Sequence, residues 1–564
     1  MKQLTFLASA LVISASAWAA PVQRSSIDAG TIIEGAVADQ DWGRPLASGD
    51  LDGDGYDEFI VSACDTFGDF LSQVYILRGG PDGHRRGVVD LSTTGADQVI
   101  VGAAQNDNLG SSIAVGDVNG DGVDDLLVCA SYATYGSFTH AGVAYLIYGG
   151  ANFFDSATRN LAAAGTWDVR IVGPTAYSDL GGGGDWGGFD TRGAAIGNLN
   201  GDIYGDIVLG AHLADGGDTE SGRVYVIMGE AFPSGTFRGL AATSHYDVRI
   251  DGQGEYDVMG DVVLTADLTG DGIDELIIGN SRFSQFLFDS EGAVHIYRGR
   301  TSWPTYFSLA STTADITILG NHYYGSLGED AATGDVNSDG LPDLVVAAPG
   351  ADAGAADTDE GIVYMFYGTT AWQKGTHLID LVSATPDLMI VGDDTSEGLG
   401  SQVAVADFNG DGYDDIAASE RFAGPNVNGV VGVLFGREFA PQAEFDFGTD
   451  MDVRIMGEAQ DRFGFSLGAA DVNDDGIDEV TIGTPFNNGP IAAPYGTAYV
   501  FSLIDGDFDG DGDQDLGDLA ELQRCFTSYA GDIAPPCYVF DFNADQVLDL
   551  TDFAVLTEYV TGPQ

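Results

Sequence analysis

Asp117-Val118-Asn119-Gly120-Asp121-Gly122-Val123-Asp124-Asp125 carries side-chain oxygens at its first, third, fifth and ninth positions. Residues alternating along one sharply turned nonamer can aim Asp117, Asn119, Asp121 and Asp125 at a single point, and the carbonyl of Val123 supplies a further oxygen. That is a donor set for a hard divalent cation, which takes six to eight oxygens at roughly 2.3–2.6 Å. Gly122 falls where the loop must take positive φ, which a residue without Cβ adopts at little cost. Taken alone, the stretch is equally compatible with an ordinary Asx-rich turn.

The spacing recurs six more times. The corresponding positions are Asp50, Asp52, Asp54, Tyr56 and Glu58; Asn198, Asn200, Asp202 and Asp206; Asp267, Thr269, Asp271, Ile273 and Glu275. They continue as Asp335, Asn337, Asp339, Leu341 and Asp343; Asp407, Asn409, Asp411, Tyr413 and Asp415; and Asp471, Asn473, Asp475, Ile477 and Glu479. The seven loops begin at residues 50, 117, 198, 267, 335, 407 and 471, so 64 to 81 residues separate neighbours. Solvated turns have no reason to keep these positions oxygen-bearing seven times, and calcium binding is the expectation. The third loop departs most: Asn198 replaces the first carboxylate, Ile203 the glycine and Gly205 the acid before Asp206.

A period of about 70 residues overrides the usual division of a 564-residue chain into several domains. Each repeat has four strand signals. In the second these are Ser111–Val115 before the loop, Asp125–Cys129 after it, Gly142–Gly149 beyond a polar connection, and Asp168–Gly173. Short runs rich in Val, Ile and Tyr between Gly and Asx clusters are strands, and seven four-stranded antiparallel blades make an all-β propeller over residues 28–503. The last repeat lacks its fourth strand, while Thr31–Gly35 has no repeat of its own. The spacing therefore predicts that residues 31–34 close the seventh blade beside residues 498–502, which removes the open edges of a linear stack.

The net charge of −66 excludes nucleic acid and anionic membranes as partners, since both would be repelled. Nine divalent ions, one for each of these seven loops and for two more near the C-terminus, would at two charges each offset at most 18 of those charges, so the rest is a solvated acidic surface. Residues 1–19 combine Lys2, an apolar run and Ala17-Trp18-Ala19, the pattern of a secretory signal peptide. No later stretch approaches the length of a membrane-spanning helix.

Several details of the repeats together resemble a known family. Phe463-Gly464, Leu399-Gly400 and Leu109-Gly110 precede the inner strand; Ala347–Gly350 and Gly483–Pro485 follow the second; Val363-Tyr364 lies in the third. With the calcium loop, these resemble FG-GAP repeats, which build the seven-bladed propeller of the integrin α subunit and of many secreted bacterial proteins. In that family the calcium loop joins the first and second strands, matching the order here. Only some integrin blades carry metal, whereas all seven here have a candidate loop.

After Leu503 the pattern changes. Asp507, Asp509, Asp511, Asp513, Asp515 and Asp518 take positions 1, 3, 5, 7, 9 and 12 of an EF-type loop, and Asp541, Asn543, Asp545, Val547, Asp549 and Asp552 repeat it. Apolar residues at helical spacing follow each: Leu519, Leu522 and Phe526, then Phe553, Leu556 and Val560. Loop-then-helix order with Asp at position 12 resembles type I dockerin repeats over residues 505–560. The resemblance implies a helical pair of calcium loops and a cohesin-like partner. Gln546 in place of the loop glycine, and Cys525 and Cys537 in the linker, depart from it. Four cysteines permit three pairings. Cys525 with Cys537 is expected because both lie in one small module that needs a staple, and Cys64 and Cys129 are expected to be buried thiols.

Gly464–Gly468 matches the nucleophile-elbow pattern, but Ser466 lies in a strand before a calcium loop rather than at a strand–helix apex. Gly182–Gly187 matches a dinucleotide fingerprint without a βαβ unit around it. No catalytic residue is therefore assigned, and the sequence leaves enzymatic activity open while favouring a non-catalytic role. The integrin resemblance implies extracellular binding or adhesion toward a protein or glycan, with calcium as a structural ion. The alternatives are a secreted polysaccharide-active hydrolase or lyase carrying a dockerin-like module, and a structural envelope component. The calcium loops are short and uniform, whereas the connections opposite vary in length, and variable loops on a rigid scaffold are where recognition usually lies. Asp185, Trp186, Tyr323 and Tyr324 in those connections are the expected ligand contacts.

Overall fold

A computed structural model describes residues 22–25, 31–35, 41–64, 71–80, 87–91, 95–182, 192–284, 290–352, 359–393, 398–424, 427–457, 462–472, 476–485 and 496–503. These residues form seven sheets of five strands each. The only helical element among them is a single 3₁₀ turn, Thr370–Gln373. The innermost strands of consecutive blades touch one another in order, and the first touches the last, so the sheets form a closed ring. The fold is a seven-bladed β-propeller.

Blade two shows how each is built. Leu109–Gly116 is innermost, followed antiparallel by Asp125–Ala130, Val143–Ile147 and Val169–Val172. The second and third strands are buried along their whole length because each sheet packs on neighbours through both faces. That two-sided burial is why their sequences are apolar runs rather than alternations. Seven apolar cores lie between successive blades, such as Leu127, Leu146 and Ile171 against Ile207 and Tyr225. Each fully buried Val, Leu or Ile contributes about 1.5–3 kcal/mol of transfer free energy.

The four-stranded expectation is corrected by a fifth strand on every outer edge. In blade two it is Thr236–Gly239, lent by the third repeat from between its own third and fourth strands and paired parallel with Val169–Val172. The same loan recurs around the ring, as His377–Asp380 on Ile316–Leu319 and Ala443–Asp446 on Leu388–Val391. Edge amides that would otherwise be open are thereby paired.

The N-terminal strands close the ring twice. Thr31–Glu34 pairs antiparallel with Thr497–Val500, one residue earlier than expected, as the fourth strand of blade seven. Val22–Ser25 pairs parallel with Val453–Met456 as the fifth strand of blade six.

The glycine of the repeat pair before each inner strand has a steric cause. Gly110 has φ +87°, and a Cβ there would sit 2.5 Å from the Ser62 Cβ of the preceding blade. Gly181 repeats this at φ +68° against Cys129. Cys64 and Cys129 are buried thiols, as expected.

Candidate metal centres and recognition face

Six of the seven metal-type loops are organised by a carboxylate at their first position. Asp117 accepts the amides of Gly120 and Asp121 on Oδ1 at 2.7 and 3.1 Å and that of Gly122 on Oδ2 at 2.8 Å. Asp50, Asp267 and Asp407 repeat the three bonds. Asp335 keeps those to Asp339 and Gly340. Asp121 then takes the Val123 amide at 3.0 Å, as Asp54 takes that of Tyr56 and Asp411 that of Tyr413. Gly122 has φ +86° with nothing within 4 Å of a Cβ, so dihedral rather than space demands glycine there.

The ninth-position carboxylate roots the loop in the blade. Asp125 takes the Val118 amide at 3.0 Å and the Gly149 amide, beyond the third strand, at 2.9 Å. Asp343 and Asp415 do the same through Gly368 and Gly436. In loop one, Asp50, Asp52 and Glu58 bring one carboxylate oxygen each within 4.8 Å of one another, among the described residues the one such trio. Burial, reinforced by the neighbouring loop carboxylates, pushes Glu58 and Glu275 up to about 8. Burial likewise moves Asp125, Asp206 and Asp343 to about 7 and Asp415 to about 8. Asp52 Oδ1 and Glu275 Oε2 are buried without a hydrogen-bond partner. Several carboxylates crowded at one point, with orphaned oxygens, fit a hard dication that supplies the missing positive charge.

Loop three is the exception foreseen. Asn198 Oδ1 accepts the Gly201 amide alone, and its own Nδ2 turns to the Asp202 carbonyl at 2.8 Å. Ile203, without positive φ, is 72% exposed. Asp206 still takes the Leu199 and Gly229 amides, so the fold of the turn survives with fewer carboxylates. In loop seven, Asp471 and Glu479 keep their bonds to Gly476 and Val472, whereas Asn473 and Asp475 lie outside the described residues.

The eighth position carries a role the ligand pattern did not reveal. The Asp274 amide donates to the Asn198 carbonyl at 2.9 Å, while Asn198 donates to Asp274 Oδ2 at 2.7 Å. Asp414 and Asp335 make the same reciprocal pair, at 3.1 and 2.7 Å. Asp124 and Asp478 donate to Asp50 and Asp407. A second bond accompanies these: Gly150, Arg300, Thr369 and Arg437 each donate to the second residue of the preceding loop, and Gly80 donates to Val472 across the ring closure. The loops are thus stitched blade to blade in a belt. The signal was present, since Asp57, Asp124, Asp274, Asp414 and Asp478 share that place, while Gly205 and Pro342 interrupt it.

At the axis, Arg192 crosses from blade three to the Ala331 and Val403 carbonyls at 2.8 and 2.7 Å, with Asp330 at 3.4 Å. No repeat signal marks it. A channel of about 300 Å³ lined by Leu46, Ile113, Val115 and Leu467 also reaches Arg192.

On the opposite face, Tyr323 and Tyr324 are 56% and 53% exposed and pack edge-to-face on each other at 4.2 Å rather than between blades. Tyr324 has φ +58°, a left-handed backbone that a bulky residue seldom takes. Asp185 and Trp186 lie outside the described residues, as do both C-terminal loops with Cys525 and Cys537, and residues 1–19. Among the described residues, no helix is long and apolar enough to cross a membrane.

The FG-GAP repeat pattern matches residues 109–147, 259–297, 327–366 and 399–434, the cores of blades two, four, five and six. Phosphatidylinositol-glycan-specific phospholipase D of Rattus norvegicus is 32% identical over 216 residues, 38% of this chain and 25% of that protein. Integrin alpha pat-2 of Caenorhabditis briggsae is 28% identical over 243 residues, 41% of this chain and 18% of that one. Integrin alpha-IIb of Homo sapiens is 32% identical over 171 residues, 29% and 15% of the two chains. The matched segment therefore spans a quarter or less of these relatives. An exotype rhamnogalacturonan lyase structure aligns with 84% of this chain and 76% of its own at a TM-score of 0.39 and 13% identity, too loosely to bear on function.

Proposed function

From the premise that this chain is a seven-bladed propeller carrying FG-GAP repeats, with integrin α relatives, we propose a secreted calcium-binding protein that mediates extracellular binding or adhesion. Calcium serves as its structural ion. The observation that carries this reading is the division of labour between faces. One face holds near-identical acidic loops tied into a belt. The other holds unlike connections and the exposed Tyr323–Tyr324 pair. Loop carboxylates at positions 1, 3, 5 and 9 would hold the ions, whose charge relieves the repulsion among them and so stiffens the scaffold.

Recognition then falls to the loops that metal does not tie down, including Asp185, Trp186, Tyr323 and Tyr324. Binding of the purified protein to glycan and protein arrays tests this. Trp186→Ala and Tyr324→Ala should abolish the signal while leaving the calcium-loaded melting curve nearly intact. Binding that survives both changes but is lost on replacing a loop carboxylate without unfolding would move the ligand to the metal face.

A further inference from the structure

A cleft of about 270 Å³ opens where the turn at Asn321 and His322 meets the third and fourth strands of blade five and the edge strand Ala443–Asp446 lent by the next repeat. Its apolar lining includes Tyr364, Leu381 and Met389. The polar lining is Asn321, His322, Asp352, Thr385, Gln442 and Glu444. This volume lies just below that of small-molecule pockets, which run about 300–1,000 Å³, so a single small ring fits better than an extended ligand.

We propose that this cleft binds an uncharged sugar residue of a glycan. The proposal rests on the extracellular-binding reading above and supplies its ligand class and site. A pyranose presents hydroxyls around its edge and C–H groups on its faces. Tyr364, Leu381 and Met389 offer apolar contact, while two amides, a hydroxyl, an imidazole and two carboxylates surround them.

Those polar groups are already aimed. Gln442 Nε2 donates to Thr385 Oγ1 at 2.8 Å, and Asn321 Nδ2 donates to the Leu381 carbonyl at 3.1 Å. Each bond fixes its amide plane and leaves the carbonyl oxygen of the side chain as an acceptor for a sugar hydroxyl. Asp352 Oδ1 takes the Asp359 amide at 2.7 Å, which anchors that carboxylate in place. Burial holds His322 below its usual value, against the pull of Asp352, so its ring is a neutral donor and acceptor at physiological pH.

Asp352 and Glu444 argue against uronate or sulfate sugars, whose charge they would repel. The exposed Tyr323 and Tyr324 follow His322 directly in the chain and give the next sugar of the glycan an aromatic surface on which to stack.

Saturation-transfer NMR on the full chain with calcium tests the assignment, using methyl β-galactoside, methyl α-mannoside and methyl β-N-acetylglucosaminide, with glucuronate and arginine methyl ester as charged counterparts. At least one neutral glycoside should show transfer and both charged probes should not. Thr385→Trp, an exposed position that would fill the cleft without touching the core, should weaken the effective glycoside at least tenfold. Gln442→Ala should weaken it severalfold, with the melting curve unchanged in both variants. Transfer from no neutral glycoside, stronger transfer from either charged probe, or full binding by Thr385→Trp would each overturn the site. If Thr385→Trp still binds glycan or protein arrays while the glycosides fail, the cleft is wrong and the extracellular-binding reading stands. If the wild-type chain binds nothing on either array, that reading fails as well.

Discussion

Asp125, Asp343, Asp415, Glu58 and Glu275 are carboxylates held in blades with too few positive partners, and that fixes how the protein should respond to pH. Their folded values, about 7 to 8, lie above the 3.8 and 4.5 usual for Asp and Glu. A raised folded value favours the fold while the group is protonated. Without calcium that contribution is fully present below about pH 4 and is lost as pH rises through 7 to 8. The metal-free protein should therefore melt at a lower temperature at pH 8 than at pH 5.5. On the proposed reading, excess calcium should bind the ionised form and so shrink or invert the difference. Scanning calorimetry at both pH values with chelator and then with calcium checks this, and curves indifferent to chelator would remove the metal from the account. Asp121→Ala should lower the calcium-dependent melting step by a few degrees, whereas Asp202→Ala, in the loop whose Asn198 already turns its amide to Asp202, should change it least. At this scale the sequence was informative because a turn held by the oxygens of Asp117 and Asp125 demands those atoms at fixed spacings. Arg192 was not legible, because a side chain that crosses the axis answers to two other blades and to no spacing in its own.

At the scale of elements, inner, second, third and fourth strands could be read because each is an apolar run bounded by Gly and Asx. The fifth strands could not. Thr236-Phe237-Arg238-Gly239 is only partly buried and shows no alternation, since it covers an edge through its backbone rather than filling a core through its side chains. The loops make the reverse point. Their oxygen-bearing positions stand out by spacing, but spacing alone does not say that the eighth-position aspartates Asp274 and Asp414 accept amides from the neighbouring loop. Asp414→Ala removes an acceptor from the partly buried Asp335 amide and should cost about 1–3 kcal/mol in urea unfolding with calcium present. Asp380→Ala, outside the belt, should cost well under half of that. Equal losses would reduce the belt to a by-product of close packing.

For the whole molecule, the decisive feature is that the ends of the array meet. Ile33 is fully buried in the core between blades seven and one, and Ile33→Asp would place an unpaired charge there. The expected result is loss of the cooperative melting transition, or a fall in midpoint of well over 10 °C, in calorimetry with calcium. A retained transition would mean that the ring does not depend on its closing strand. The same closure imposes an order in time. Thr31 meets Val500, 469 residues later, and Val22 meets Val453, 431 residues later. A chain leaving the ribosome or a membrane pore cannot pair these strands until nearly all of the array has emerged, so residues 22–25 and 31–34 must wait with unpaired edges while the blades between them form. Contacts this distant in sequence make folding slow, and waiting edges are sites for mispairing. The leading segment of the chain thus works as a latch that registers completeness: a copy cut short before its last blade has nothing for residues 31–34 to grip, and remains an open stack that a protease can distinguish from the finished ring.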